Sequence, residues 1–487
     1  MKAKGRKRRS VNRRDQRLFL GRRDDIGGLG QSGEAGLVEK IGLGGDEVHS
    51  VKKYCCLIYV GNRRRVATCC VVGFGDKRRM HAMTEEMRLP ADVDAQPLVR
   101  AAAALQPVIR KFHDEIERGQ RMPQALFGQL LEAGFYRMVI PRSLGGLQVD
   151  PLTYLRVVET LAEGAGSVGW NLGNGGVGQL VTLGLPDDGV DEIYGKRADT
   201  VIAGTAVPGG GRAVPAPGGY RVSGRWQFGS GCNEASWMLG SFQVIGDDSQ
   251  PLPHPDGGSL YWRGVFARAE AEIVPGSWDV AGLRGTGSFD WTVEDVFLPE
   301  RRTMPQVGIP LENQWSRWPG LTYQLPVQCW VGPHHSAVIT GIAQAGINAL
   351  IDLAGGKQPR GRPVGLLCDN PQVQDAVGRA DAILNAGRAY RNAMIAELWN
   401  TLASGEETSL EQRARCRLAS TYAADSAREA MDLVYRHGGS TSFKRESRLA
   451  ECWRDLHTVG QTVTLAPEWY PIGGRVYLGM DPGSRLR

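Results

Sequence analysis

The segment from Tyr220 to Pro299 constrains this chain more than any other. It opens YRVSGRWQFGSGCNEASWMLGSF and, after an intervening stretch, continues SWDVAGLRGTGSFDWTVEDVFLPERR. Tyr220, Val222, Trp226 and Phe228 share one parity, and Arg221, Ser223, Arg225 and Gln227 take the other. A strand with one buried face requires this alternation, because successive side chains point to opposite faces. Gly-rich turns separate such stretches, and the sequence on either side has a helical period instead. The pattern predicts a β-domain inserted in a mainly helical protein.

The 487 residues suffice for two or three domains with a large core. Charge is unevenly spread. Residues 1–82 hold 20 Lys and Arg against 8 Asp and Glu, and the remainder holds 38 against 44. The basic character therefore belongs to the tail. Its Gly- and Arg-rich composition without an apolar period reads as a disordered or over-extended start ahead of Met83, rather than as a nucleic-acid or membrane arm. No apolar run follows Arg13-Arg14, so an export signal is not expected, and residues 54–60 are too few to span a bilayer. The nine cysteines include adjacent pairs, Cys55-Cys56 and Cys69-Cys70, but no spaced pairs of the zinc-ribbon kind. Scattered odd thiols in the body (Cys232, Cys329, Cys368, Cys416 and Cys452) fit a reducing cytoplasm, and no metal is assigned.

Beyond the tail, residues 83–200 read as an N-terminal helical domain. A helix spans 94–118, and a second starts at Pro123 and ends near Ala133-Gly134. The β-domain follows over 201–302, a crossing loop rich in Pro, Trp and Gly over 303–331, and a C-terminal helical domain over 332–487. Within the last, a Pro-Arg-Gly-Arg-Pro hinge interrupts the helices at 359–363. Ser409 and Gln412 form a capping box for a helix reaching His437, and Gly438-Gly439 ends it.

The segments 134–170 and 220–299, in the order helices, β-domain, helices, resemble the acyl-CoA dehydrogenase superfamily. The resemblance implies an α+β, mainly α fold with a flavin lying between the β-domain and the helices. It also implies a homotetramer built through the C-terminal helices. Two chemistries occur on that fold. A dehydrogenase needs a carboxylate to remove an α-proton beside the ring. A monooxygenase takes reduced flavin (FAD or FMN) from a separate reductase and forms a C4a-hydroperoxide with molecular oxygen. It then hydroxylates an aromatic or polycyclic small molecule in a dry pocket, often with a His as base.

The dehydrogenase position for Glu matches Val463, and the hydroxylase position for His matches Thr462, so this chain has neither base. No Asp or Glu stands between Asp455 and Glu468, nor around 345–348. On a continuous helix, His457 would lie about 140° round the axis from Thr462, so it is read as a surface residue. Phe228-Gly229-Ser230-Gly231 resembles the hydroxylase branch's FxSG element, in which the Ser donates towards the flavin edge. Ser167-Val168-Gly169-Trp170 resembles its GS-x-x-W, placing Trp170 and Thr462 at the substrate pocket. Arg284, Thr286 and Ser288 match a cofactor-side turn, where an Arg and backbone N–H groups hold an anion. His437, Gly438 and Gly439 match the turn that approaches the flavin pyrophosphate. Ser230 and His437 are the candidate catalytic residues. The resemblance favours the monooxygenase. The alternatives are a dehydrogenase with a displaced base and a non-catalytic binding subunit.

Overall fold

The computed structural model describes residues 87–205, 209–246, 249–253, 260–306, 316–359, 365–483 and 486, together with three short strands of the tail. Those strands, β1 (Lys40–Ile41), β2 (Tyr54–Val60) and β3 (Arg63–Cys69), form an antiparallel sheet in a unit of their own. The reading of the tail as disordered otherwise lies outside the described residues, as does most of the 359–363 hinge.

The second unit, 84–487, opens with helices. The expected helix over 94–118 is two, α1 (Pro97–Lys111) and α2 (His113–Gly119), broken where Phe112 leaves helical geometry at ψ 4°. Next come α3 (Gln124–Glu132), α4 (Pro151–Gly164), α5 (Gly166–Thr182) and α6 (Asp187–Tyr194). Asp150 caps α4 by accepting the Thr153 N–H, with Pro151 at the first helical position.

The β-layer comprises β4 (Ile202–Gly204), β5 (Gly211–Ala216), β6 (Gly219–Trp226), β7 (Trp237–Val244), β8 (Tyr261–Ala267), β9 (Glu272–Ile273), β10 (Trp291–Pro299) and β11 (Thr303–Gln306). The strand order is β11-β8-β7-β5-β6-β10-β9, with β4 pairing β7. The alternation read from the sequence holds through β6, where Val222 and Trp226 are buried and Arg221, Ser223 and Arg225 are exposed. It stops there. Phe228 leaves the strand at φ +62° and is 63% exposed. Trp226 and Trp291 stack at 4.2 Å, and a Cβ on Gly240 would sit 2.8 Å from the Trp226 ring, so a glycine permits this packing. Residues 303–306, expected in a loop, extend the sheet instead by pairing with Gly264 to Tyr261.

The C-terminal helices are α7 (Gln328–Gly356), α8 (Pro371–Ala403), α9 (Leu410–His437), α10 (Arg448–Val459) and α11 (Trp469–Tyr477). The Ser409–Gln412 capping box is formed in both directions, at 3.1 and 2.9 Å. By length and composition α7 could cross a membrane, but it is largely buried against α4, α9 and α10, as a core helix is. In the second unit, helices and one sheet give the α+β, mainly α class expected.

Candidate active site

Four elements meet at one cluster of polar and aromatic side chains. The turn after β6 carries Ser230, the turn before β10 carries Thr286 and Ser288, α5 carries Trp170, and α7 carries His335.

The hydroxyls form a ladder whose direction follows from counting protons. Thr286 Oγ1 donates its one proton to the Leu283 carbonyl at 2.8 Å. It must therefore accept from Ser288 Oγ at 2.7 Å, and Ser288 in turn accepts from Ser230 Oγ at 2.7 Å. Trp170 Nε1, which can only donate, gives its proton to Ser230 Oγ at 3.0 Å. Ser230 thus keeps one free lone pair and has no proton to spare. The resemblance casts it as a donor; the ladder makes it an acceptor. The backbone reinforces this placement, with Gly231 N donating to the Thr286 carbonyl at 2.9 Å.

The other side of Trp170 leads to a second chain. The His335 ring lies against the Trp170 ring at 4.6 Å, tilted by 30°. His335 Nδ1 is 2.7 Å from Thr464 Oγ1, which is 3.3 Å from Thr462 Oγ1. His335 Nε2 is 3.3 Å from Asn174 Oδ1, and Asn174 donates its Nδ2 to the Trp170 carbonyl at 3.0 Å. Burial, then the neighbouring His334 and Arg417, hold the His335 pKa well below the usual 6.5, so the ring is neutral at physiological pH. His334, whose Nδ1 is bonded to the Trp330 carbonyl, is pushed down to about 4 by burial.

The helix expected to run through Thr462 ends at Val459, and residues 463–465 form a short 3-10 turn. His457 is nevertheless peripheral. It rests on Trp453 and faces Asp432 Oδ1 at 3.3 Å. Arg417 fixes the 3-10 turn. It donates Nη2 to the Thr464 carbonyl and lies 3.9 Å over the Trp469 ring.

The remaining candidates divide between two places. Arg284 borders the ladder, but its Nε and Nη1 are given to the Glu117 and Val280 carbonyls at 3.2 and 3.0 Å. Phe228 meets Trp278 edge-on at 6.4 Å, and Gly229 N donates to the Phe289 carbonyl. His437, Gly438 and Gly439 form a separate group at the end of α9. There His437 Nδ1 donates to the Leu433 carbonyl, Gly439 has φ +61°, and Lys357 Nζ donates to the Gly438 carbonyl at 2.7 Å. No hydrogen bond among the described residues joins this group to the Ser230 cluster. A distinct cleft of about 260 Å³ holds Glu159, whose carboxylate is bound by Arg388 and Arg391 at 2.6 and 2.9 Å. That buried ion pair pins α4 to α8 and shares no residue with the cluster.

The sequence signals Ser230, Trp170 and the Gly-Thr-Gly-Ser turn, but not His335, Thr464 or Asn174. Adjacent histidines in an otherwise apolar helix were the available sign. Among the described residues no carboxylate is hydrogen bonded to Trp170, Ser230, Ser288, His335, Thr462 or Thr464. Asp455, the nearest acid in the helix expected to carry the base, is engaged by the Leu283 N–H at 2.6 Å.

Comparison with known proteins agrees with this arrangement. Residues 96–187 match the acyl-CoA dehydrogenase N-terminal domain family and 334–466 the acyl-CoA dehydrogenase C-terminal domain family. The chain is 30% identical to an indole-3-acetate monooxygenase of Pseudomonas putida, over 76% of this chain and 90% of that one. It is 30% identical to the HsaA oxygenase subunit of a flavin-dependent monooxygenase from Mycobacterium tuberculosis, over 81% and 98%. The solved 3-HSA hydroxylase of Rhodococcus sp. RHA1 superposes with a TM-score of 0.73 at 27% identity, covering 81% of this chain and all of that one. The chain therefore belongs to the acyl-CoA dehydrogenase superfamily, in its flavin-dependent monooxygenase branch.

Proposed function

We propose that this chain is the oxygenase component of a two-component monooxygenase: a separate reductase supplies reduced flavin, and the site hydroxylates an aromatic small molecule. The observation that carries the reading is the hydroxyl ladder ending at Ser230. Reduced flavin bears a hydrogen on N5, whereas oxidised flavin presents a bare nitrogen there. An acceptor with no proton to give suits the reduced form. The acceptor at Ser230 therefore fits reduced flavin, FAD or FMN.

When bound, reduced flavin and oxygen supply the electrophilic oxygen atom. Everything else falls to the chain. Thr286 and Ser288 orient Ser230, Trp170 holds it and walls the pocket, and the aromatic surroundings exclude water. The His437-Gly438-Gly439 turn, with the Lys357 ammonium beside it, is assigned to the flavin phosphates, and Arg284 to the cofactor rim. The dehydrogenase alternative needs a carboxylate in contact with the cluster, and the described residues provide none. Exposed apolar residues on the C-terminal helices (Ile351, Tyr422 and Tyr477), with Leu478 just after the last, support assembly into a homotetramer through that surface. Free thiols at Cys232, Cys329, Cys368, Cys416 and Cys452 suit a cytoplasmic enzyme.

The test is to load the protein anaerobically with reduced flavin and mix it with oxygenated buffer. An absorbance transient distinct from both reduced and oxidised flavin is expected. Direct reoxidation without one, together with bleaching of bound oxidised flavin by an acyl-CoA, would overturn the proposal.

A further inference from the structure

We propose that Thr462, Thr464 and His335 form a proton relay that stands in for the histidine absent at position 462, and that Thr462 receives the ionisable O–H of a phenolic substrate. The inference rests on the monooxygenase reading and adds the residues that take up the substrate's proton.

The relay has a defined direction. Asn174 Nδ2 donates to the Trp170 carbonyl, which turns Asn174 Oδ1 towards His335 Nε2. Asn174 Oδ1 can only accept, so it draws the hydrogen of the neutral ring to Nε2; with the Val331 carbonyl as a further acceptor near the ring, Nδ1 facing Thr464 is then the bare nitrogen. Thr464 then donates its proton to Nδ1 at 2.7 Å, leaving its oxygen open to the Thr462 hydroxyl at 3.3 Å. With its own proton directed inward, Thr462 offers a lone pair outward. The half-buried threonines thus connect the outward face of Thr462 to the buried His335.

The transfer is balanced by three shifts. The substrate O–H breaks, its electron pair stays on the substrate oxygen, and the proton goes to Thr462 Oγ1. The proton of Thr462 passes to Thr464 Oγ1, and that of Thr464 to His335 Nδ1. The resulting imidazolium donates to Thr464 on one side and to Asn174 on the other, so neither N–H is stranded. Among the described residues no carboxylate touches the ring to stabilise that charge; burial, His334 and Arg417 oppose it, and only the Val331 carbonyl supports it. His335 therefore does not ionise a resting phenol. It takes the proton as the ring is oxygenated, when the hydroxyl becomes strongly acidic. A neutral imidazole fixed in one tautomer is the form this requires.

Trp170 ties the two chains together. Its indole N–H orients Ser230, and its ring face supports His335. The cofactor-side acceptor and the substrate-side acceptor are thereby held by one side chain.

The first measurement uses flavin-free protein and calorimetry, buffered below neutrality so that the phenol keeps its proton, with 4-nitrophenol and its methyl ether, 4-nitroanisole. The wild type should prefer the phenol by roughly tenfold, the worth of one hydrogen bond of about 1.4 kcal/mol. Thr462→Val and Thr464→Val should lose that preference. Equal affinity in the wild type, or binding of neither ligand, overturns the relay.

The second measurement uses enzyme loaded with reduced flavin. His335→Phe keeps the ring against Trp170 and removes the acceptor. It should form the oxygen-dependent transient at the wild-type rate yet hydroxylate roughly 10²-fold more slowly. Adding Thr462→His in that background should restore hydroxylation, which a purely structural role for His335 would not allow. If His335→Phe fails to fold, Thr464→Val gives the same reading from a half-buried position. Hydroxylation at the wild-type rate in these variants overturns the relay. Loss of the transient in the wild type overturns the monooxygenase reading instead, and the phenol preference then still decides the relay.

Discussion

At the scale of the residue, protons and lone pairs decide what Ser230 does. Its proton is committed to Ser288 only because Ser288 is committed to Thr286 and Thr286 to the Leu283 carbonyl. Ser288→Ala breaks that commitment and lets Ser230 donate to a bare flavin nitrogen. The wild type should bind reduced flavin more tightly than oxidised flavin. Ser288→Ala should narrow the ratio by roughly tenfold, about 1.4 kcal/mol, mainly by improving oxidised binding. Anaerobic and aerobic flavin titrations of both proteins measure this, and an unchanged ratio would remove the argument from ladder direction. Residues such as Ser230 and Trp170 were legible because each sits in a short motif that holds its own turn or helix. His335 was not, because its partner Thr464 lies 129 residues away and no local pattern announces that meeting. Nor does sequence show the direction of a hydroxyl chain, which depends on which carbonyl stands at its far end.

At the scale of the element, the informative feature is where α10 stops. The sequence suggested a helix carrying residue 462 on its face, but Gly460-Gln461 is followed by three β-branched residues, Thr462, Val463 and Thr464, and the chain reaches Pro467 three residues later. Such residues fit a helix poorly, and proline cannot continue one. The chain instead makes a 3-10 turn, aiming Thr464 at α7. Phe112 splits the first helix, and β11 takes residues from the expected crossing loop, so boundaries were the least legible part of the fold. The alternation within β6 and the order of elements were the most legible. Arg417 holds the 463–465 turn from α9, passing over Gly332 of α7, where a Cβ would overlap its guanidinium. Gly332→Ala should therefore push Arg417 off both Thr464 and Trp469. A stability loss of roughly 2–4 kcal/mol is expected from an uncompensated buried charge and an overpacked core. Thermal melts measure the loss, and the preference for 4-nitrophenol should fall along with it. A melt unchanged from the wild type would show that the clamp is dispensable.

At the scale of the whole molecule, one buried charge cluster joins three parts of the fold. Glu451 and Asp455 on α10 meet His113 and Glu117 on α2, with Arg448 closing the group, and Asp455 anchors the turn that leads to Thr286. Glu451 is held down to about 2, against its burial, by Arg448 and His113. Its contribution is present above its ordinary pKa of 4.5 and is lost as pH falls through about 2. Asp455 acts in the opposite sense. Burial first, then the Glu451 and Glu117 charges, raise it from 3.8 to about 8, while the unfolded chain returns it to its ordinary value. Between those limits the folded protein binds a proton that the unfolded chain does not. Stability is therefore greatest at the acid end of that window and falls as pH rises through about 8. Asn in place of Asp455 keeps an acceptor for the Leu283 N–H and carries no charge. Asp455→Asn should thus melt at a higher temperature than the wild type at pH 9, by the equivalent of roughly 1–3 kcal/mol. The gap should narrow as pH falls from about 8 towards 3.8, a temperature series at constant ionic strength being the measurement. Parallel curves for the two proteins would mean that Asp455 is ionised in the native state and that the cluster draws its charge balance from elsewhere.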